Sequence, residues 1–368
     1  MKALLVAGAR PNFMKIAPVY RAAQVYDSLE CLIVHTGQHY DYAMSQTFFD
    51  DLELPEPDHF LEAGSGSHAE QTARVMVAFE EVCLAEKPDL VIVVGDVNST
   101  LACSIVAKKL LIKVAHIEAG LRSFDLTMPE EINRMVTDAI SDYFFVTEAS
   151  GAANLLREGK PGAAVFLVGH VMIDNLLHQA EKLKSSDTSA FAVAALKRLH
   201  PDYFFMTMHR PANVDDPETL QGIVGCLNEI AKDYPIFFPV HPRTAKMLEQ
   251  FAIELSDNIH CLGPLGFRES LYLWQDAIAV LTDSGGLQEE TTALGVPCLT
   301  LRENTERPIT IELGTNILVG NQPEGIMKAY EELRKSFPVG DAVVKRSVCR
   351  VPQWDGRAAE RIWKVLLG

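Results

Sequence analysis

The chain has 368 residues, 48% of them apolar and 22% charged, and a formal net charge of -16. That length exceeds one ordinary core and predicts two domains of roughly 170 residues each. So acidic a chain excludes a nucleic-acid or anionic-membrane partner, since either needs a basic footprint.

In chain order, short apolar runs alternate with longer amphipathic segments. The runs ALLVAG (Ala3 to Gly8), CLIVHT (Cys31 to Thr36), LVIVVGD (Leu90 to Asp96), KVAHIEAG (Lys113 to Gly120), YFFVTE (Tyr143 to Glu148) and AVFLVGH (Ala164 to His170) read as buried parallel strands. Helix-like segments cover Ala69 to Ala85 and Thr100 to Leu111. After the polar stretch KSSDTS (Lys184 to Ser189) the rhythm resumes with YFFMTMH, PIFFPVH, IHCLG, AIAVLTDS and VPCLTL. This is βαβ alternation performed twice. It predicts an α/β fold of two Rossmann-like, doubly wound domains facing a central cleft. The expected divisions are an N-terminal domain over 1–172, a second over 173–355, and a C-terminal helix over 356–368 that packs back on the first.

Seven cysteines stand singly, with no C-x-x-C pair. That pattern suits buried thiols in a reducing compartment rather than a disulfide framework or a zinc site. The opening MKALLVAGARPNF holds too short an apolar run for a secretion signal, and no stretch reaches membrane length. The expectation is a cytoplasmic protein without membrane insertion.

In doubly wound folds, ligands sit outside the carboxyl ends of the strands, and here those ends are polar. They carry Arg10, Gln38 and His39, Asp96, Glu118, His209 and Arg210, His241, and Asp283 with Ser284. Near the last of these, Ser284, Gly285 and Gly286 can present backbone N–H groups to phosphate at a helix start. Glu290, one helical turn further in, can accept hydrogen bonds from a vicinal diol. A nucleotide offers both groups; a plain tight turn with dipole-complementing acids is the other reading. Neither G-x-G-x-x-G nor G-K-[ST] occurs, so dinucleotide redox and Walker-type hydrolysis are not indicated. Arg10, Lys15, His209, Arg210, His241 and Arg243 supply basic partners for a diphosphate.

The first domain offers carboxylates instead. Asp96 follows a strand, where it or Ser99 could equally cap a helix. Glu118 stands at the next strand end, where a buried acid without a role would be costly. Glu130 and Glu131 open a helix after a proline, and Asp125 lies in the loop before them. Acids around one sugar ring are what proton transfer at carbon and at a leaving oxygen requires.

Taken together, GARPNFMKIAPV, HTGQHYD, GDVNSTLA, HIEAGLRS with MPEEINR, MHRPANVDD, TDSGGLQEE and ENTERP resemble the non-hydrolysing UDP-N-acetylglucosamine 2-epimerases along essentially the whole chain. The resemblance implies the GT-B arrangement, a homodimer, and interconversion of UDP-GlcNAc and UDP-ManNAc at C2 with no metal or redox cofactor. Departure of UDP from C1 gives oxocarbenium character that makes C2–H removable, leading to a 2-acetamidoglucal to which UDP adds back. By motif, the catalytic groups are Asp96, Glu118, Glu130 and His209. The UDP contacts are Arg10, Lys15, Arg210, His241, Ser284, Gly285, Gly286 and Glu290, with Phe267 of PLGF near the uracil and Arg307 near the cleft.

One position departs from the family. Many members read H-R-x-E-N where this chain has Ala212 between Pro211 and Asn213, and that glutamate helps regulated members hold a second, activating UDP-GlcNAc. Gln38, His39 and Arg74 remain at plausible positions for such a site. Hyperbolic kinetics without obligatory activation is therefore expected. Rival readings are a GT-B glycosyltransferase, a non-catalytic UDP-sugar-binding module, and a 2-epimerase of a UDP-2,3-diacetamido-uronic acid sugar.

Overall fold

The computed structural model describes residues 1–37, 49, 51–336 and 348–368. Gln38 and His39, expected at the end of the second strand, lie outside them. The described chain divides into two compact units, Met1–Leu176 with Pro352–Gly368, and Leu177–Val351.

The first unit contains β1 (Lys2–Ala7), β2 (Glu30–His35), β3 (His59–Phe60), β4 (Leu90–Val94), β5 (Lys113–Ile117), β6 (Tyr143–Val146) and β7 (Val165–Leu167). Among the described residues they form one parallel sheet in the order β3-β2-β1-β4-β5-β6-β7. All five residues of β4, Leu-Val-Ile-Val-Val, are buried, as expected of a strand covered by helices on both faces. One face packs on Phe13, Ile16 and Val19 of the helix Arg10–Ala23. The other packs on Val75 and Phe79 of His68–Glu86 and on Ala102 and Cys103 of Asn98–Lys109.

The second unit repeats the plan with β8 (Phe204–Thr207), β9 (Ile236–Pro239), β10 (Ile259–Leu262), β11 (Ala279–Thr282), β12 (Cys298–Thr300) and β13 (Asn316–Leu318). Its parallel sheet runs β10-β9-β8-β11-β12-β13. In each unit the strand order reverses beside the first strand, between β1 and β4 and between β8 and β11. That reversal opens the crevice where doubly wound sheets take their ligands.

The C-terminal helix Ala358–Leu367 belongs to the first unit. Its apolar stripe buries Ile362 and Trp363 completely, each contributing about 2–3 kcal/mol. The Trp363 indole N–H donates to Val19 O at 2.7 Å. Asp174 caps the helix start by accepting from Ala358 N at 3.1 Å and Ala359 N at 2.7 Å; burial pushes its carboxyl up to about 6. All seven cysteines are free. Among the described residues, no helix is long and apolar enough to cross a membrane.

Candidate active site

In the first unit the crevice is built on Gly95, directly after β4. Its φ of +72° suits glycine, and a Cβ there would stand 3.3 Å from Lys15 Nζ, 3.5 Å from Glu118 Oε2 and 3.7 Å from Asn12 Nδ2. Three side chains therefore converge on one bare backbone position. Lys15 Nζ donates to Glu118 Oε2 at 2.5 Å, with the lysine side chain 16% and the glutamate 5% exposed. Lys15 is thus a partly buried partner of a carboxylate. Asn12, one turn earlier on the same helix, fixes its start: it accepts from Ala9 N at 3.0 Å and donates to Val94 O at 3.1 Å. Glu118 has φ of +68°, a left-handed backbone that costs a residue with a side chain about 1–3 kcal/mol. Its second oxygen lies 3.9 Å from Nε2 of the buried His170.

Asp96 does not cap the following helix, whose N-cap is Val97. Its carboxylate pairs with Arg134 at 2.5 Å and stays 30% exposed. Arg134 also reaches Glu131 at 2.8 Å, so one guanidinium joins the loop after β4 to the helix Pro129–Ile140. Glu130 and Glu131 divide: Glu130 is exposed, whereas Glu131 is buried and accepts from Ser123 N at 2.9 Å and Phe124 N at 3.0 Å. Burial opposes charge on Glu131, yet those N–H groups and Arg134 outweigh it and hold the carboxyl below its usual range. Arg10 is exposed as the first residue of its helix.

Beneath this crevice lies a charged layer. His116, fully buried on β5, meets Asp138 Oδ1 through Nδ1 at 2.7 Å and Gly95 O through Nε2 at 2.8 Å. Asp138 Oδ2 takes Gly120 N at 3.0 Å and Arg122 Nη2 at 2.7 Å. Burial would raise the Asp138 carboxyl, but His116 and Arg122 hold it below the usual range.

In the second unit, Thr207 and Thr282 are register partners joined by a 2.7 Å hydroxyl contact, so His209 and Ser284 leave the sheet side by side. The fully buried Asp283 ties them: Oδ2 accepts from His209 N at 2.9 Å, Arg210 N at 2.8 Å and Asn213 Nδ2 at 3.2 Å. Burial alone would raise this carboxyl, but the His209 imidazole and those two N–H groups keep it low. The His209 and His241 rings stand 5.5 Å apart. His241 is exposed, and its ring caps the helix Pro242–Gln250 by accepting from Arg243 N at 3.2 Å. Arg243 itself is paired with Asp215 through two contacts.

Ser284 is the N-cap of the helix Gly285–Leu294. A Cβ built on Gly285 would meet nothing within 4 Å, and one on Gly286 only Ser284 Oγ at 4.0 Å. The glycines thus leave open space in front of unsatisfied helical N–H groups, a ready anion seat. Glu290, half-buried one turn on, is pushed up to about 8 by burial and by the neighbouring Glu289 carboxylate. Arg307 binds Glu289 at 2.8 Å. Buried Gln288 holds the same loop by accepting from Thr305 Oγ1 at 2.5 Å. The charge of Arg210 is felt at Glu306, which Arg302 clamps through two hydrogen bonds of 2.7 Å. Phe267 is half-buried at the start of the helix Phe267–Trp274.

The sequence-predicted residues thus form two groups. Lys15, Glu118 and Asp96 gather at the first switch point. His209, Arg210 and His241, with the Ser284–Gly286 turn, gather at the second. Sequence reasoning missed Asn12, His116, Arg134, Asp138 and His170. The i,i+3 spacing of Asn12 with Lys15 and of Glu131 with Arg134 was a usable signal; the pairing of His116 with Asp138 had none. Among the described residues, no group of three or more His, Cys, Asp or Glu is arranged to hold a metal ion.

Two open parallel sheets that match in order over six strands, one crevice lined by carboxylates and the other by an open helix start, define an α/β protein of two Rossmann-like domains. A sequence profile of the UDP-N-acetylglucosamine 2-epimerases matches residues 21–367. The chain belongs to that family. It is 43% identical to a UDP-N-acetylglucosamine 2-epimerase of Methanocaldococcus jannaschii, over 100% of this chain and 99% of the relative. It is 41% identical to a UDP-2,3-diacetamido-2,3-dideoxy-D-glucuronate 2-epimerase of Pseudomonas aeruginosa, over 89% of this chain and 91% of the relative. The crystal structure of the Methanocaldococcus jannaschii UDP-GlcNAc 2-epimerase in complex with UDP-GlcNAc and UDP superposes with a TM-score of 0.82 at 42% identity, covering 100% of this chain and 99% of that one.

Proposed function

We propose that this chain epimerises UDP-GlcNAc to UDP-ManNAc at C2 by eliminating UDP and adding it back to a 2-acetamidoglucal. The observation that carries the reading is the division of chemistry between the two switch points. The second unit supplies what a nucleoside diphosphate needs: open N–H groups at Gly285 and Gly286, the cationic Arg210, imidazoles at His209 and His241, and Glu290 for the ribose diol. The first unit supplies Asp96 and Glu118, each held by one cation, as proton-transfer groups for the sugar, with Glu130 as a third carboxylate. Arg10 joins the diphosphate contacts, Phe267 the uracil, and Arg307 acts through Glu289.

C2–H is not acidic on its own, because no carbonyl adjoins it. Loss of UDP from C1 draws electrons from C2, and a carboxylate then takes the C2 proton. Groups that stabilise the departing diphosphate contribute about 2–4 kcal/mol each. Re-protonation on the opposite face, with UDP returning to C1, completes the inversion.

NMR of UDP-GlcNAc with catalytic enzyme in D2O tests this. UDP-ManNAc carrying deuterium at C2, with deuterium also entering UDP-GlcNAc, is the expected result. Free ManNAc plus UDP would instead indicate hydrolysis. The Pseudomonas relative supports a second reading, in which the substrate is the diacetamido-uronic sugar nucleotide; turnover of that compound alone would decide for it. We further propose a homodimer, checked by sedimentation, and a cytosolic location, consistent with seven free cysteines.

A further inference from the structure

We propose that Asp283 is a positioning residue for His209: it holds the proton of the neutral imidazole on Nδ1 and so makes Nε2 the working atom. This rests on the role given to His209 above. Asp283 Oδ2 is saturated by three donors, from His209 N, Arg210 N and Asn213 Nδ2. Oδ1 is fully buried and has no hydrogen-bond partner of regular geometry among the described residues, while His209 Nδ1 stands 2.9 Å from it. A carboxylate can only accept. A lone pair on Nδ1 at that distance would lie against the lone pairs of an anion; a proton there turns repulsion into electrostatic attraction.

The neighbouring ring is the internal contrast. His241 Nδ1 receives the N–H of Arg243, which places the proton of neutral His241 on Nε2. The two imidazoles, 5.5 Å apart, are thus set in opposite tautomers by what each Nδ1 meets. The His209 side chain is 40% exposed while Asp283 is fully buried, so the Nδ1 edge faces inward and Nε2 lies on the opposite edge. Neutral His209 then offers a lone pair at Nε2. When it takes up a proton there, the ring offers an N–H to a phosphate oxygen, with Asp283 balancing the new charge and remaining a carboxylate throughout. Asp283 also binds the backbone N–H groups of His209 and Arg210, so it sets the ring's position as well as its proton.

The test is long-range 1H–15N NMR of histidine-labelled, UDP-free enzyme, with the His209 signals assigned by their absence in His209→Gln. We expect the Nδ1–H form in the wild type at a pH where the ring is neutral. In Asp283→Asn, the amide NH2 facing Nδ1 should move the proton to Nε2. That variant should also lose roughly 100-fold or more in kcat with KM within about threefold. An Nε2–H wild type overturns the proposal, as does a spectrum unchanged in Asp283→Asn. A purely structural Asp283 would lower activity through lost fold, visible in near-UV circular dichroism, without a tautomer change in the folded fraction. If Asp283→Asn does not fold, the wild-type spectrum decides alone. Absence of turnover with UDP-GlcNAc would count against the proposed function and leave the tautomer result standing.

Discussion

The two units share a six-strand order and the place of the crevice, yet they present opposite chemistry there. At the first switch point the chain puts acids and ties each to a cation: Glu118 to Lys15, Asp96 to Arg134. At the second it puts a buried acid below the surface, Asp283, and leaves the exposed face to imidazoles, Arg210 and bare helical N–H groups. The fold fixes where a ligand goes; the few residues after β1, β4, β5, β8 and β11 decide what kind. A duplicated architecture can therefore divide a reaction, with one copy moving protons and the other binding a leaving group.

That contrast can be broken at several points. The largest effect is expected from Glu118→Gln, which keeps the shape and removes one of the carboxylates proposed for proton transfer. Its kcat should fall roughly 1000-fold, about 4 kcal/mol, with UDP affinity nearly unchanged by calorimetry. Next comes Asp138→Asn, which removes the buried anion shared by His116 and Arg122, although Arg122 keeps its pairing with Glu158. Breaking a buried charged cluster costs about 3–5 kcal/mol, read as a lower urea midpoint at neutral pH. Because the Asp138 carboxyl is held below its usual range in the folded state, its stabilisation is present above the unfolded pKa. It is lost as the pH falls through the folded one, so the variant should converge on wild type in acid.

Gly285→Ala and Gly95→Ala sharpen the comparison between crevices. A Cβ at Gly285 meets only open space, so stability should hold while UDP binding weakens by roughly tenfold, about 1.4 kcal/mol. At Gly95, the left-handed backbone and the nearby Lys15 Nζ predict a stability loss of about 1–3 kcal/mol. The smallest effect belongs to Glu290, raised to about 8. Between the unfolded value and that pKa the folded state holds more protons, so this group's contribution to stability declines as pH rises through that window. If the carboxylate accepts both ribose hydroxyls, UDP binding releases a proton below pH 8. Affinity should then rise from pH 6 to 8, and Glu290→Gln should flatten that dependence.

Most of the sheet architecture was legible because the strands are unbroken apolar runs ended by a polar residue. β3 escaped because two residues leave no run to read, and β13 went unread although it is as long as β7 and β12. The crevice residues were visible as strand ends, and the glycine turn as a helix start without a local reason for its glycines. The supporting pairs were not: His116 with Asp138 and Asp96 with Arg134 are separated by 22 and 38 residues, and nothing in local periodicity couples them. The same limit applied to Asp96, which as a sequence reads as a cap and in space faces a guanidinium. It applied also to Glu131, whose part in holding the Ser123–Phe124 loop is invisible beside its exposed twin, Glu130.

The central claim is that proton transfer at C2 rests on carboxylates of the first unit, while most of the UDP contacts come from the second. The most direct test is a calorimetric titration of UDP into the folded Asp96→Asn/Glu118→Gln double variant, paired with its rate of deuterium exchange at C2. The account predicts UDP affinity within about threefold of wild type and exchange slowed by roughly 1000-fold or more. Tenfold weaker UDP binding, or exchange that persists, would contradict it.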